Sequence, residues 1–228
     1  AASLEQARQQ MDRDVVDIFL LHEQESHLTL KGHWEAVEYL VKAKAQGLIK
    51  AIGLSTHRVA GVEATLGVAE IEVVHPLFNI AGLGIGDGTR EEMLAVIRRA
   101  RAEGKGIYSM KPLGGGNLRK DMREAIDYVL TRPECDAIAL GMRSEAEVAM
   151  NLALFNGEAV PAAAAAAVSG IARYLQIDQW CTGCGRCVDK CSTGALTLEN
   201  GKAVVRPELC LLCGYCGAQC QDFYIKIV

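Results

Sequence analysis

CTGCGRCVDKC (181–191) and CLLCGYCGAQC (210–220) repeat one spacing, C-x2-C-x2-C-x3-C, and hold eight of the nine cysteines in the chain. Such short steps let three thiolates from one loop reach three corners of a cubane cluster, with the fourth ligand supplied by the other copy. The spacing therefore predicts two [4Fe-4S] clusters. One uses Cys181, Cys184, Cys187 and Cys220; the other uses Cys210, Cys213, Cys216 and Cys191. Zinc sites usually use C-x2-C pairs separated by a longer loop, and disulfide frameworks belong to secreted chains. Ser192 and Gln221 follow the fourth cysteines where Pro is usual, so the local turn is expected to differ.

Between the two copies, Asn200-Gly201 is a strong turn signal flanked by two short strand-forming runs. The terminal DFYIKIV can supply a further strand. Residues 177–228 therefore resemble a complete bacterial two-cluster ferredoxin domain. That resemblance implies a carrier of single electrons, with a redox protein as a partner. Oxygen-sensitive clusters imply a reducing cytoplasm, as in an anaerobe. The ninth cysteine, Cys135, reads as a small apolar residue near a strand start.

Upstream the chain changes character. Half of all residues are hydrophobic and only 5% are aromatic, a balance suited to a closely packed α/β protein. Its 24 basic and 28 acidic residues are spread along the chain, with no basic stripe for nucleic acid. No apolar run approaches the roughly 18 residues of a membrane-spanning helix. The start, AASLEQARQQMDRD, has no initiating Met and no signal-peptide core. It reads as a helix already under way in a larger protein, with Ser3 and Gln6 as a capping box.

Five continuous apolar runs follow: VVDIFLL (15–21), IKAIGL (49–54), EVVHPL (72–77), GIYSM (106–110) and DAIAL (136–140). Helical patterns at 33–46, 58–67, 89–103, 119–131 and 144–155 separate them. Thr89 with Glu92 and Ser144 with Glu147 form capping boxes, and Gly47 and Gly104 mark helix ends. Continuous apolar strands alternating with helices indicate a parallel sheet covered by helices, either an open doubly wound sheet or part of a (β/α)8 barrel. Pro161 stands at the first position of an Ala-rich helix, in a connector expected at 158–176. His27, His33 and His57 read as solvated surface residues, and Trp34 and Trp180 as packing residues.

DIFLLHE, GLIKAIGLSTH, VVHPLFN, KPLGGG and GMRSEAEVAMN, in that order, resemble the second half of an aldo/keto reductase barrel. The resemblance covers 1–157, and implies the C-terminal part of a TIM barrel followed by the small α+β dicluster domain. It also implies an NADP(H)-linked oxidoreductase acting on a small-molecule carbonyl or alcohol. His22, just beyond a strand end, matches the catalytic His; the family's Asp, Tyr and Lys lie in the half not represented here.

The remaining matches concern the nucleotide. Ser55 and Thr56 stand where the family places Ser-Asn against the nicotinamide carboxamide, and His75 where it has Gln. Met110 replaces a stacking Tyr, and Lys111-Pro112-Leu113-Gly114 follows its S-P-L-G. Gly141, Arg143, Ser144, Glu147 and Asn151 match the adenosine end, where a helix N-terminus beside an Arg could hold a 2′-phosphate. A capping box alone would also explain Ser144 and Glu147. Two other functions stay open. The half-barrel could be a non-catalytic scaffold for an electron-transfer module, or Lys111 could form a Schiff base.

Overall fold

The computed structural model describes residues 2–228. Residue 1, the first of the segment 1–157, lies outside the described residues. The order of elements is α1 (Ala2–Met11), β1 (Val16–Leu21), α2 (His27–Gly32), α3 (Trp34–Ala45), β2 (Ile49–Thr56), α4 (Val59–Glu63), β3 (Val73–Pro76), α5 (Arg90–Ala102) and β4 (Gly106–Met110). Next come α6 (Met122–Leu130), β5 (Ala137–Ala139), α7 (Glu145–Phe155), α8 (Ala162–Ser169), β6 (Leu175–Ile177) and α9 (Arg186–Asp189). Strands β7 (Leu196–Glu199), β8 (Lys202–Val205) and β9 (Ile225–Ile227) complete the chain.

Strands β1 to β5 form one sheet in chain order. Consecutive parallel neighbours with helical crossovers are the β/α pattern of a barrel wall, not the reordered strands of a doubly wound sheet. The register aligns Leu20 with Gly53, Ser55 with His75, and Val74 with Ile107. Gly53 is required there, because a Cβ would lie 2.3 Å from the Val73 carbonyl oxygen.

The residues pack as two compact units. One contains the chain up to Phe78 with Ile85–Met110 and Pro133–Ile138; the other contains Asn79–Gly84, Lys111–Arg132 and Ala139–Val228. In the first unit, Val37, Leu54, Val74, Leu77, Phe78, Met93 and Ile97 are fully enclosed. In the second, Ile126, Met150, Leu154 and Ala164 form one core, and Leu175, Leu196, Ala203, Ile225 and Ile227 form another around Cys187 and Cys216.

Local signals account for most element boundaries. Thr89 Oγ1 accepts from the Glu92 backbone N–H at 3.2 Å, and the Glu92 carboxylate accepts from the Thr89 N–H at 2.7 Å. That is a reciprocal capping box. Gly47 and Gly104 end helices with φ of 75° and 85°, the left-handed backbone that glycine adopts without penalty. Asn200 and Gly201, at φ 50° and 74°, turn β7 into β8. Both central residues are left-handed, as a tight hairpin requires. Strand β9 pairs antiparallel with β6.

Several local expectations fail. Helix α1 begins at Ala2, so Ser3 lies inside the helix and cannot cap it. Pro161 is the N-cap of α8, one position before the first helical residue. Ser144 caps α7, but Glu147 accepts from Arg143 and not from Ser144, so the box is not reciprocal. Trp180 is two-thirds exposed and contributes little packing. His33 bonds Gln24 at 2.9 Å, and His57, half-buried, lies 3.6 Å from Glu23, so neither is merely solvated.

Candidate active site and cluster centre

Parallel strands deliver their C-terminal ends to one edge of a sheet, where loops can place reactive groups without disturbing the core. His22 follows Leu21 of β1 and is exposed. The Ser55 hydroxyl accepts from the Glu23 N–H at 3.0 Å, and the Ser55 carbonyl accepts from the Gln24 N–H at 2.9 Å. Ser55 thus fixes the turn that carries His22. Glu23 has a φ of 51°. Non-glycine residues seldom adopt that left-handed backbone.

Register places Ser55 beside His75, and residues paired across parallel strands share a face. His75 Nδ1 donates to the Tyr108 carbonyl at 2.5 Å, and the two rings stack with centroids 3.9 Å apart. Burial pushes the Tyr108 phenol up from its ordinary range. In β4 the neighbours Ile107 and Ser109 are buried while Tyr108 and Met110 are half-exposed, so Tyr108 and Met110 face the same way. Ser55, His75, Tyr108 and Met110 therefore lie on one face of the sheet. The sequence motifs do not single out Tyr108; the signal for it is its position two before Met110 in GIYSM.

Thr56 faces the other side. It is fully buried, its Oγ1 accepts from the Arg58 N–H at 3.0 Å, and a Cβ on Gly61 of α4 would lie 2.1 Å from that oxygen. Its hydroxyl holds the start of α4, and the structure does not bring it to the face of Ser55.

The second unit carries the other predicted nucleotide residues. Lys111, at φ 58°, is left-handed, and its ammonium lies 4.8 Å from the Phe223 ring centroid. Pro112 and Gly114 are buried and Leu113 is half-buried. Asn79, also buried, donates to the carbonyls of Leu83 and Lys111 at 2.9 and 3.4 Å. Gly141 and Arg143 are exposed, and Ser144 accepts from the Glu147 N–H at 3.2 Å. Glu147 is buried and accepts from the Arg143 N–H and Arg173 Nη2, each at 2.6 Å. Burial pushes its carboxyl up, but these donors outweigh burial and hold it below the ordinary range. One turn along, Asn151 Oδ1 is buried with no hydrogen-bond partner among the described residues.

Cys181, Cys184, Cys187 and Cys220 line one cavity, together with Gly183, Gly185 and Ala203. The Ala203 N–H reaches Cys181 Sγ at 3.5 Å, and the Tyr224 N–H reaches Cys220 Sγ at 3.2 Å. Burial pushes the Cys187 thiol up, and Cys181, Cys184 and Cys220 add to the shift. The Arg186 backbone N–H and guanidinium hold Cys184 below its ordinary range. Burial, with Cys213, Cys187 and Cys210 nearby, pushes Cys216 up to about 11. Cys191 lies 3.5 Å from the Thr193 hydroxyl. Among the described residues, no three His, Cys, Asp or Glu side chains converge as around a single ion. A cubane does not require that convergence, because each thiolate binds a different iron.

Residues 1–129 match the aldo/keto reductase family. The chain belongs to that family. Residues 173–221 also match the 4Fe-4S dicluster domain. Its fold is similar to a Pseudomonas aeruginosa protein named as an aldo-keto reductase, at 25% identity and a TM-score of 0.56, covering 68% of this chain and 57% of that one. It is also similar in fold to the apo form of a Bacillus halodurans aldo-keto reductase, at 17% identity and a TM-score of 0.56, covering 74% of this chain and 66% of that one. The chain thus spans little more than half the length of the first of these. No curated protein matches it significantly. Among the described residues no helix is long and apolar enough to cross a membrane.

Proposed function

We propose that this chain is the cluster-bearing portion of an NADP(H)-linked oxidoreductase acting on a carbonyl or alcohol, with its chemistry coupled to two [4Fe-4S] clusters. The observation that carries the reading is the shared face of Ser55, His75, Tyr108 and Met110 at the strand ends, adjoining the turn that carries His22. Bound NADP(H) would supply a hydride to the carbonyl or take one from the alcohol.

The chain's own groups act by position and charge. Ser55 holds the turn bearing His22, and exposed His22 can orient a substrate oxygen and hold a proton beside it. The Tyr108 carbonyl accepts from His75 Nδ1, and this bond and the Tyr108 stack fix the orientation of the imidazole. The half-exposed Met110 side chain offers a polarizable surface to a flat ring. At the start of α7, the Arg143 guanidinium and the helix N-terminus suit a phosphate, and buried Asn151 Oδ1 still needs a donor.

For the clusters, Cys181, Cys184, Cys187 and Cys220 fit the four-thiolate set of one cubane. They line a common cavity, and backbone N–H groups are aimed at sulfur. By their spacing, Cys210, Cys213, Cys216 and Cys191 would supply the second set. The clusters would move electrons singly between the chain and a redox protein.

A second reading is an electron-transfer module whose barrel strands are scaffold. It is favoured by the hydroxyls of Ser55 and Thr56, both of which hold backbone groups. Anaerobic titration of the cluster-loaded chain with NADPH and NADH, followed by nucleotide fluorescence, separates the two. The reductase reading expects saturable NADPH binding that Arg143→Ala weakens about tenfold or more, with NADH binding little changed. A loaded chain that binds neither nucleotide leaves only the electron-transfer module.

A further inference from the structure

The dicluster segment is not supported by its own residues alone. Gly114, Gly115 and Gly116, with φ of 54°, 62° and 85°, form a tight turn after β4. A Cβ on Gly115 would lie 2.9 Å from the Phe223 ring, and one on Gly116 would lie 2.0 Å from the Ile227 carbonyl oxygen. The next residue, Asn117, is 8% exposed and donates through Nδ2 to the carbonyls of Gly114 at 2.8 Å and Ile225 at 3.2 Å.

Asn117 also fits into the loop bearing Cys213 and Cys216. A Cβ on Gly214 would lie 2.7 Å from the Asn117 carbonyl oxygen, and one on Gly217 would lie 2.4 Å from Asn117 Oδ1. Two positions on, Arg119 Nη2 donates to the Leu212 carbonyl at 3.2 Å. Leu212 lies between Cys210 and Cys213 and is left-handed, at φ 48°. A non-glycine residue keeps that backbone only when its surroundings hold it there.

We infer that Asn117 and Arg119 are positioning residues for the second cluster, so that the loop following β4 sets that cluster's reduction potential. The inference rests on the cluster assignment above. Reduction adds negative charge to a cluster, and nearby charge and solvent exposure set how readily it occurs. The Arg119 guanidinium, at the backbone between two ligands, stabilises the reduced form. The Asn117 side chain fills the space behind the Cys213–Cys216 loop and keeps water out. Because 111–114 are also predicted nucleotide positions, the same loop joins the two cofactors in sequence.

The test is potentiometric titration of the full, cluster-loaded chain, with electron paramagnetic resonance to follow each cluster and with iron and sulfide content measured in parallel. Arg119→Gln should lower the potential of one cluster, and Asn117→Ala should raise the potential of that same cluster by admitting water. The affected cluster should be the one whose signal Cys213→Ala removes. Loss of iron from that cluster alone, in either variant, also supports the positioning role. Both potentials unchanged with iron retained, or a shift confined to the other cluster, overturns the inference while leaving the cluster assignment intact. A wild-type chain that takes up no cluster overturns both. If one substitution prevents folding, the other decides.

Discussion

Arg173 Nη2 donates to Glu147 Oε1 at 2.6 Å, joining the residue that opens the dicluster match to the first turn of α7. Glu147 is nearly enclosed and Arg173 only partly so, and the carboxylate also accepts from the Arg143 N–H at 2.6 Å. The ion pair therefore holds the start of α7, and does so in a partly dry setting where the loss of one partner is costly.

Glu147→Gln should destabilise the fold by about 2 kcal/mol, because Arg173 loses its buried counter-charge. Thermal or urea unfolding at neutral pH measures this. The folded carboxyl titrates below its unfolded range, so the contribution is complete above the unfolded value and is lost as pH falls through the folded one. The difference in stability between wild type and variant should thus shrink on acidification below about pH 4. A gap that widens in acid would contradict the assignment.

Gly116→Ala should be among the most damaging single-methyl additions in the chain. Its Cβ would meet a backbone carbonyl oxygen at 2.0 Å, and its φ of 85° disfavours any side chain. Overpacking and backbone strain together should cost about 3 kcal/mol. Gly104 has the same φ of 85° but open space around it. Gly104→Ala therefore isolates the strain part and should cost about 1 kcal/mol. Equal losses of stability for the two would rule out the contact with Ile227.

Removing iron should loosen the dicluster segment before the five-stranded sheet. The two small sheets there, β6 with β9 and β7 with β8, have two strands each, too few for independent stability in water. Hydrogen exchange after chelation should show lost protection at Lys202–Val205, with protection at Ile49–Thr56 retained. Uniform loss across both segments would mean that the units unfold together.

Cys220→Ala should remove the same cluster as Cys184→Ala, although Cys220 belongs to the second cysteine motif. Both residues line one cavity, and Cys187 responds to both. Each variant should retain about half the iron of the wild type, with the same resonance signal missing. Loss of different signals would mean that each motif ligates its own cluster.

Much of this architecture was legible in the residues because its causes are local. GIYSM became β4 at the positions read from sequence, and the Thr89–Glu92 box opened α5. Asn200-Gly201 made its hairpin because both residues tolerate positive φ. Where local pattern misleads, a competing partner or the shortness of an element is the cause. Glu147 had the spacing to cap Ser144 but took the Arg143 N–H and the distant Arg173. Helix α2 is not legible in the sequence because its six residues are too few to display a period. Its Ser26–Thr29 box also closes through a Thr, where Glu or Gln is usual.

The sequence by itself determined the order of the five barrel strands, the family, and the pairing of a reductase segment with a dicluster domain. Each is written in contiguous residues, as apolar runs, turn chemistry and cysteine spacing. Only the tertiary structure decided which neighbours share a face and which loops meet. Ser55 and Thr56 are adjacent in sequence but face opposite sides of β2, since successive strand residues alternate. Tyr108 joined the site because parallel register set it against His75. Asn117 reached the Cys213–Cys216 loop from far along the chain, through contacts that only glycines at 214 and 217 permit. That is a steric fit between distant backbones, and no local pattern encodes it.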